Sequence, residues 1–149
     1  HKDWKFMIIG EGSDGLSFLK AKVERLGIVD HVVFAGYRKD IRELLQISEI
    51  FILTSRYEGL PMVLMEAASQ GIACIAYDCI SGPSDIIEDK VSGVLVADQD
   101  KDEMTRKVIS LIENPEQRKE LGKNAVLASE NFSLEKIGTL WQELFQKIL

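Results

Sequence analysis

Short apolar segments alternate with longer amphipathic segments along most of this chain. The apolar run at 6–9 ends at Gly10 and is too short for a helix, which is typical of a buried strand. After it, apolar residues recur at helical spacing, as at Leu16, Leu19 and Val23. The same pattern repeats, and it predicts strands at residues 6–9, 31–35, 49–53, 72–77 and 93–96.

Capping and helix-breaking residues mark where the helices begin and end. Pro61 is predicted to be the first residue of a helix that runs to Gly71, because proline favours the first helical position and glycine favours the residue after the end. Asp100 with Glu103 resembles a capping box. Further helix starts are predicted at Ser13 or Asp14, Asp40, Asn114 and Ser133, with a short helical turn at 85–88.

The last predicted helix carries a stripe of large apolar residues. Their helical spacing places them on one face, so we expect the stripe to pack in the core. Any part of the stripe that is exposed favours self-association of the chain. The stripe consists of Ile137, Leu140, Trp141, Leu144, Phe145 and Ile148.

The alternation of strands and helices predicts the fold class. Repeated βα units form a mostly parallel sheet with helices on both faces, which here is an α/β, Rossmann-like domain. A length of 149 residues fits one domain over residues 1–149. Ligands of such sheets bind beyond the carboxyl ends of the strands. The informative loops are therefore 10–14, 36–39, 54–61 and 78–84.

The composition excludes several classes of function. The formal net charge is −6, with 24 acidic and 18 basic residues, which argues against a nucleic-acid surface. No apolar stretch reaches the roughly 20 residues that a membrane span needs. The first residues lack the apolar core of a signal peptide, and we interpret the start as a cut within a longer protein. Cys74 and Cys79 match neither a redox pair nor a zinc motif, and they fit a reducing, cytoplasmic location.

A glycine-rich loop follows the first predicted strand. Gly10, Gly12 and Gly15 match the G-x-G-x-x-G pattern of dinucleotide-binding loops. That function also needs an acidic residue at the end of the second strand, where this sequence has Gly36 and no acid before Asp40. We therefore favour a strand-to-helix turn, with Gly10 and Gly12 as candidate ligand contacts.

A segment with two glutamates carries the strongest chemical signal. If Pro61 begins a helix, the backbone N–H groups of Met62 and Val63 have no helical acceptor and, with the helix dipole, form an anion site. Each hydrogen bond to a phosphate there contributes about 1.5–3 kcal/mol. Glu66 follows Met62 by one turn, about 5.4 Å, which is near the step from a diphosphate to its ribose. Glu58, on the loop side, faces the group beyond the diphosphate.

Two simpler interpretations of the glutamates stay open. Glu58 and Glu66 are also compatible with solvated surface acids. They are less compatible with a glycoside hydrolase, because that chemistry needs two carboxyl groups facing one bond across about 5–9 Å. Acids on opposite sides of an anion-binding helix end do not suit this requirement.

In order, these motifs resemble the family 4 retaining glycosyltransferases of the GT-B fold. The resemblance is carried by Glu58 and Glu66, separated by seven residues within the segment SRYEGLPMVLMEAASQGI at 55–72. Support comes from IIGEG at 8–12, VFAGY at 33–37, SGPSDII at 81–87 and GVLV at 93–96.

The resemblance implies roles for individual residues in the C-terminal domain of a GT-B fold that lacks its first strand. Glu58 is expected to contact the donor sugar and Glu66 the ribose, and these two are the candidate catalytic residues. Further donor contacts are expected from the backbone of Gly59, Leu60 and Pro61 near the sugar, the amides of Met62 and Val63 near the diphosphate, and Tyr37 and Arg38 near the base.

The resemblance also implies the substrates. The expected donor is a UDP- or GDP-sugar, bound without a metal or other cofactor because the helix dipole and basic side chains replace it. The acceptor is expected to be a saccharide or a lipid-linked saccharide in surface polysaccharide or glycan biosynthesis. An N-terminal domain outside this sequence would bind it, in the cytoplasm or at the inner face of the membrane.

An arginine and a lysine that neutralise the diphosphate in this family would also lie before His1. We therefore expect this fragment to be inactive alone and to bind donor weakly. Two alternatives to the transferase remain, namely a non-catalytic nucleotide-sugar-binding module and a GT-B sugar-nucleotide epimerase.

Overall fold

The computed structural model describes residues 1–12 and 14–148, without the side chain of Asp14. The predicted caps of the first helix, Ser13 or the side chain of Asp14, therefore lie outside the described part. The chain divides into two compact units, residues 1–41 and residues 42–149.

The first unit contains a two-stranded parallel sheet. Strand β1 (Phe6–Ile9) leads to helix α1 (Asp14–Arg25) and returns as β2 (Val32–Gly36), which pairs with β1 in parallel. The register shifts between Ile8 and Ile9, so that Ile9 stands opposite Gly36. Gly36 has a φ of 64°, and its carbonyl accepts the Gly10 N–H at 2.9 Å. The loops after β1 and β2 therefore leave the sheet side by side.

The second unit contains a three-stranded parallel sheet in the order β3 (Ile50–Leu53), β4 (Ala73–Asp78) and β5 (Val94–Ala97). The central strand β4 is buried from Ala73 to Tyr77, as its continuous apolar sequence predicts. The carboxyl ends of all three strands lie at one edge, because the pairings are parallel. The helices of the chain from residue 41 onward are α2 (Ile41–Gln46), α3 (Met62–Ser69), α4 (Pro83–Ile86), α5 (Lys101–Glu113), α6 (Pro115–Ser129) and α7 (Leu134–Ile148).

The core of the second unit holds α3 in place. Leu64, Ala67 and Ala68 form the buried face of α3. At its C-terminal end, α3 approaches α6 so closely that a Cβ added to Gly122 would lie 2.0 Å from the Gly71 carbonyl oxygen. Only glycine fits at position 122, and this contact fixes one end of the helix that carries Glu66.

Most helix starts agree with the capping pattern in the sequence. The Asp100 carboxylate accepts the Glu103 N–H at 2.8 Å and caps α5, and the Asn114 side chain accepts the Gln117 N–H at 3.0 Å and caps α6. The predicted turn at 85–88 is wrong by two residues, because α4 begins at Pro83. Proline favours the first helical position, where its missing N–H is not needed.

The core-packing prediction for the last helix is wrong. None of the residues described in α7 is buried, and the side chains of its apolar stripe are between 37% and 70% exposed. The helix contacts the 3₁₀ turn Glu130–Phe132. Amphipathic spacing reports that a helix has an apolar face, but not whether a partner covers that face. Among the described residues, no helix combines the length and apolar character needed to cross a membrane.

Candidate functional site

The loop after β3 leads into α3 and leaves two backbone donors open. In the described part of the chain, the N–H groups of Met62 and Val63 donate to no protein acceptor, whereas the Leu64 N–H donates to the Pro61 carbonyl at 2.9 Å. The Met62 side chain is 59% exposed, so solvent reaches this end of the helix. Open N–H groups and the positive end of the helix dipole make the start of α3 suited to an anion.

The predicted position of Pro61 needs a correction by one residue. Pro61 precedes the helix as its N-cap, with φ −74° and ψ 86°, and Met62 is the first helical residue. The extended ψ angle takes Pro61 out of the helical region, so the helix begins later than predicted. It also ends earlier, at Ser69, and Gly71 follows with a φ of 75°. The two open donors remain Met62 and Val63, as predicted.

Glu66 lies one turn after Met62 on α3. Its side chain is exposed, and its carboxylate accepts no hydrogen bond from the residues that the structure describes. A spacing of four residues places Glu66 on the same face of the helix as Met62. The carboxylate is therefore open to a ligand that reaches one turn along α3 from the two backbone donors.

Glu58 is half-buried in the loop before α3, and it lies within electrostatic range of Cys79, the residue after β4. The Cys79 side chain is 3% exposed, and burial raises the pKa of its thiol. The carboxylates of Asp98, Glu58 and Asp78 raise that pKa further. These four groups come from the ends of β3, β4 and β5, so the loop that carries Glu58 meets the edge of the sheet where ligands of parallel sheets bind.

The loop after β4 packs directly on the segment before α3. Gly82 is buried with a φ of 101°, and a Cβ added to it would lie 2.5 Å from Pro61 Cδ and 3.1 Å from the Gly59 carbonyl oxygen. Gly59 and Leu60, two predicted backbone contacts, are exposed. No motif in the sequence marks Cys79 or Gly82 as a site residue. The only sequence feature that could have indicated them is their position in the loop after a predicted parallel strand, where ligands of such sheets bind.

The remaining candidate contacts belong to the first unit. Gly10, Gly12 and Tyr37 are exposed in the neighbouring loops after β1 and β2. Arg38 Nε donates to Asp40 Oδ1 at 2.8 Å, and a second hydrogen bond joins the same two side chains. The hydrogen bonds from Arg38 lower the pKa of the Asp40 carboxyl group, and they keep the Arg38 guanidinium beside Asp40.

The described residues contain no cluster of potential metal ligands. No group of three or more histidine, cysteine, aspartate or glutamate side chains there could hold a metal ion. The three acidic groups that raise the pKa of Cys79 do not form such a set. Metal independence stays a prediction.

Sequence comparison identifies the family. The profile of the family described as glycosyl transferases group 1 matches residues 1–127. The chain belongs to this glycosyltransferase family. This chain is 33% identical over 145 residues to the amylovoran biosynthesis glycosyltransferase AmsD of Erwinia amylovora. The match covers 97% of this chain and 40% of the relative. The chain is 43% identical over 97 residues to the lipopolysaccharide 1,6-galactosyltransferase of Escherichia coli, which covers 62% of this chain and 27% of that protein.

Solved structures of glycosyltransferases share the fold of this chain. A mutant TarM of S. aureus in complex with fondaparinux, α-GlcNAc-glycerol and UDP matches it with a TM-score of 0.87 and 32% identity. The match covers 95% of this chain and 29% of TarM. It confirms the predicted α/β class with parallel sheets flanked by helices, and the GT-B resemblance. The chain spans less than half the length of each of these relatives.

Proposed function

We propose that this chain forms the donor-binding half of a retaining glycosyltransferase. The whole protein would transfer a hexosyl group from a nucleotide-diphosphate sugar to a saccharide or lipid-linked acceptor in surface polysaccharide or glycan biosynthesis. The observation that carries this proposal is the open start of α3, with two unpartnered N–H groups among the described residues and a glutamate on either side. Two relatives named for amylovoran and lipopolysaccharide synthesis support the choice of product class.

The diphosphate of the donor binds at the start of α3. The N–H groups of Met62 and Val63 donate to its oxygens, and the Leu64 N–H takes no part because Pro61 already accepts it. Negative charge grows on the diphosphate as it departs from the sugar. Donors that are fixed by the helix before the reaction stabilise this charge without reorganising. The same groups therefore bind the donor and assist the departure of its leaving group.

The two glutamates order the rest of the donor. Glu66 accepts hydrogen bonds from the ribose hydroxyls, since it lies one turn, about 5.4 Å, beyond the first backbone donor. Glu58 lies on the loop side and accepts from hydroxyls of the transferred sugar. The contacts expected of Gly10, Gly12, Tyr37 and Arg38 remain predictions from the family resemblance.

The transfer itself needs no protein nucleophile. The bond between the anomeric carbon and the phosphate oxygen breaks, and the acceptor oxygen bonds to that carbon from the same face. The acceptor hydroxyl proton passes to the departing phosphate oxygen, which balances the charge. Residues of this chain hold the donor in place and stabilise the leaving group, so both functions depend on the start of α3.

The charge of the chain limits its affinity for the donor. The formal net charge is −6, and Glu58, Asp78 and Asp98 lie at the same edge of the sheet. An anionic donor meets an unfavourable potential there unless basic side chains from elsewhere in the protein compensate. Without two such charge-assisted contacts the loss is about 3–6 kcal/mol. We expect calorimetry with UDP- and GDP-sugars to give weak binding to this chain alone, and submicromolar affinity would contradict this expectation.

A product analysis tests the whole proposal. The intact protein is incubated with UDP- and GDP-sugars and a set of saccharide and lipid-linked acceptors, and NMR reports the configuration of the new glycosidic bond. We expect transfer with the anomeric configuration of the donor. Inversion would contradict the retaining assignment. Donor hydrolysis or epimerisation without transfer would favour the epimerase, and binding without any turnover would favour the non-catalytic module.

A further inference from the structure

Gly82 lies where any side chain would collide with the segment before α3. A Cβ on this residue would meet Pro61 Cδ at 2.5 Å, the Gly59 carbonyl oxygen at 3.1 Å and Pro61 Cγ at 3.4 Å. Two of these atoms belong to a rigid ring, so they cannot rotate away as the end of a flexible side chain does. Gly82 also has a φ of 101°, which L-residues with a side chain rarely adopt. The position therefore requires glycine for two independent reasons.

The backbone around Gly82 is itself held in place. Its carbonyl accepts the Asp85 N–H at 3.1 Å, and the Pro83 carbonyl accepts the Ile87 N–H at 2.8 Å. Pro83, Ile86 and Ile87 are buried, so α4 anchors this side of the loop in the core. A collision at Gly82 would therefore push against Pro61, which is buried but is preceded by the exposed residues Gly59 and Leu60.

The other end of the same loop lies near the Glu58 carboxylate. Cys79 is buried, and its pKa reports the nearby carboxylate of Glu58. The loop 79–82 thus packs against the segment before α3 at Gly59 and Pro61, and Cys79 at its start lies within electrostatic range of Glu58.

We propose that Gly82 is a positioning residue for the donor diphosphate. Because Gly82 has no side chain, Pro61 can adopt an extended conformation immediately before Met62, the first residue of α3. This conformation directs the N–H groups of Met62 and Val63 towards the diphosphate. Gly82 does not itself touch the donor. This role rests on the proposed function of the start of α3.

The test compares Gly82→Ala with a glycine that has similar strain but a different position. In the intact protein, calorimetry with UDP is expected to show about a tenfold loss of affinity for Gly82→Ala, equal to about 1.4 kcal/mol. Affinity for uridine, which has no phosphate, is expected to stay unchanged. Gly71→Ala is the control, because Gly71 has a φ of 75° and follows the other end of α3, where an added Cβ would meet Val126 Cγ2 at 3.4 Å. It should lower the melting temperature without weakening UDP binding.

A double variant separates positioning from general destabilisation. Pro61→Ala removes the ring atoms Cγ and Cδ, so two of the three close contacts of a residue 82 side chain disappear. Pro61→Ala alone is expected to weaken UDP binding several-fold, because the segment before α3 loses the conformational restriction of the proline ring. Combined with Gly82→Ala, the loss should be smaller than the two single losses together, because Pro61→Ala removes the ring atoms that the new side chain of Gly82→Ala would meet.

Several outcomes would overturn the proposal. They are unchanged UDP affinity in Gly82→Ala, an equal loss in Gly71→Ala, or strictly additive losses in the double variant. If Gly82→Ala does not fold, Pro61→Ala decides, and UDP affinity equal to that of the natural protein would overturn the role. If the natural protein binds neither UDP nor GDP, the function proposed for the start of α3 fails first, and the positioning role fails with it.

Discussion

Met62 and Glu66 lie one turn apart on α3, and both side chains are exposed to solvent. The backbone N–H of Met62 donates to no acceptor among the described residues, and the Glu66 carboxylate accepts from none. An open donor and an open acceptor on one helical face match a ligand that carries a negative group and, one turn further on, hydroxyl groups. A nucleoside diphosphate has these groups in this order.

Replacing Met62 by proline should remove one of the two backbone donors and leave the helix intact. Met62 is the first helical residue, where proline is tolerated, and Pro61 before it is already extended. We expect Met62→Pro to weaken UDP binding by roughly 10- to 150-fold, the equivalent of one hydrogen bond to a charged group. Calorimetry measures the effect, and Met62→Ala, which keeps the N–H, should bind UDP nearly as the natural protein does. Equal affinities of the two variants would contradict a backbone contact.

Glu66→Ala should abolish most of the turnover in the intact protein. Loss of the hydrogen bonds from its carboxylate to the ribose is expected to lower kcat/KM by roughly 10- to 150-fold. Glu66→Gln, which keeps one acceptor oxygen, should lose less. Glu120, an exposed glutamate of α6, provides the matched control, because Glu120→Ala removes the same group at another site. Steady-state kinetics with equal rates for Glu66→Ala and Glu120→Ala would rule out the ribose contact.

Cys74 should make the fold less stable in alkaline solution. Its side chain is buried, and desolvation raises the pKa of the thiol from 9.0 to about 12. The thiol of the unfolded chain ionises at a lower pH than the buried thiol of the folded chain. The contribution of Cys74 to the free energy of unfolding is therefore complete below pH 9 and is lost as the pH rises towards about 12. The slope is at most about 1.4 kcal/mol per pH unit. Urea unfolding as a function of pH should therefore show a steeper alkaline decline than in Cys74→Ala, and parallel profiles would contradict the prediction.

The cap of α5 should contribute measurably to the stability of the second unit. Asp100→Ala removes the acceptor for the Glu103 N–H, a hydrogen bond of 2.8 Å, and should lower the free energy of unfolding by about 1 kcal/mol. Asp100→Asn keeps a side-chain oxygen at the cap and should cost much less. Thermal or urea unfolding of both variants provides the test. An equal loss in the two would assign the effect to the negative charge and not to the hydrogen bond.

The apolar stripe of α7 should promote weak self-association of this chain. Leu134, Ile137, Trp141, Leu144 and Ile148 repeat at alternating spacings of three and four, the spacing of helices that pair. The helix has 15 residues and is therefore only about 22 Å long, which limits the affinity. Sedimentation at increasing concentration should detect dimers, and Trp141→Lys should abolish them. Thr139→Lys changes the opposite face of α7 and should leave the dimers intact. A natural chain that is monomeric at every concentration would exclude self-association through the stripe.

Local patterns in the sequence were enough to predict the elements. The caps at Asp100 and Asn114 and the apolar strands are encoded by neighbouring residues, so their formation does not depend on distant parts of the chain. The boundaries were less accurate where a distant contact intervenes. Pro61 precedes α3 instead of starting it, with its ring against Gly82.

The arrangement of the candidate residues on α3 was predictable for the same reason. Met62, Val63 and Glu66 belong to one helix, and the periodicity of a helix fixes their relative positions. Glu58 and Cys79 come from different loops, and no spacing along the sequence predicts that they lie near each other. Their proximity follows from the order of the parallel strands in the folded sheet.

The sequence by itself therefore determined which segments form helices and strands, and which residues share the face of α3, because short-range periodicity and capping control both. Only the tertiary structure decided that Gly82 packs against Pro61 and that the stripe on α7 is exposed. Those features depend on which distant surfaces pack together, and packing is a property of the assembled chain that no local pattern encodes.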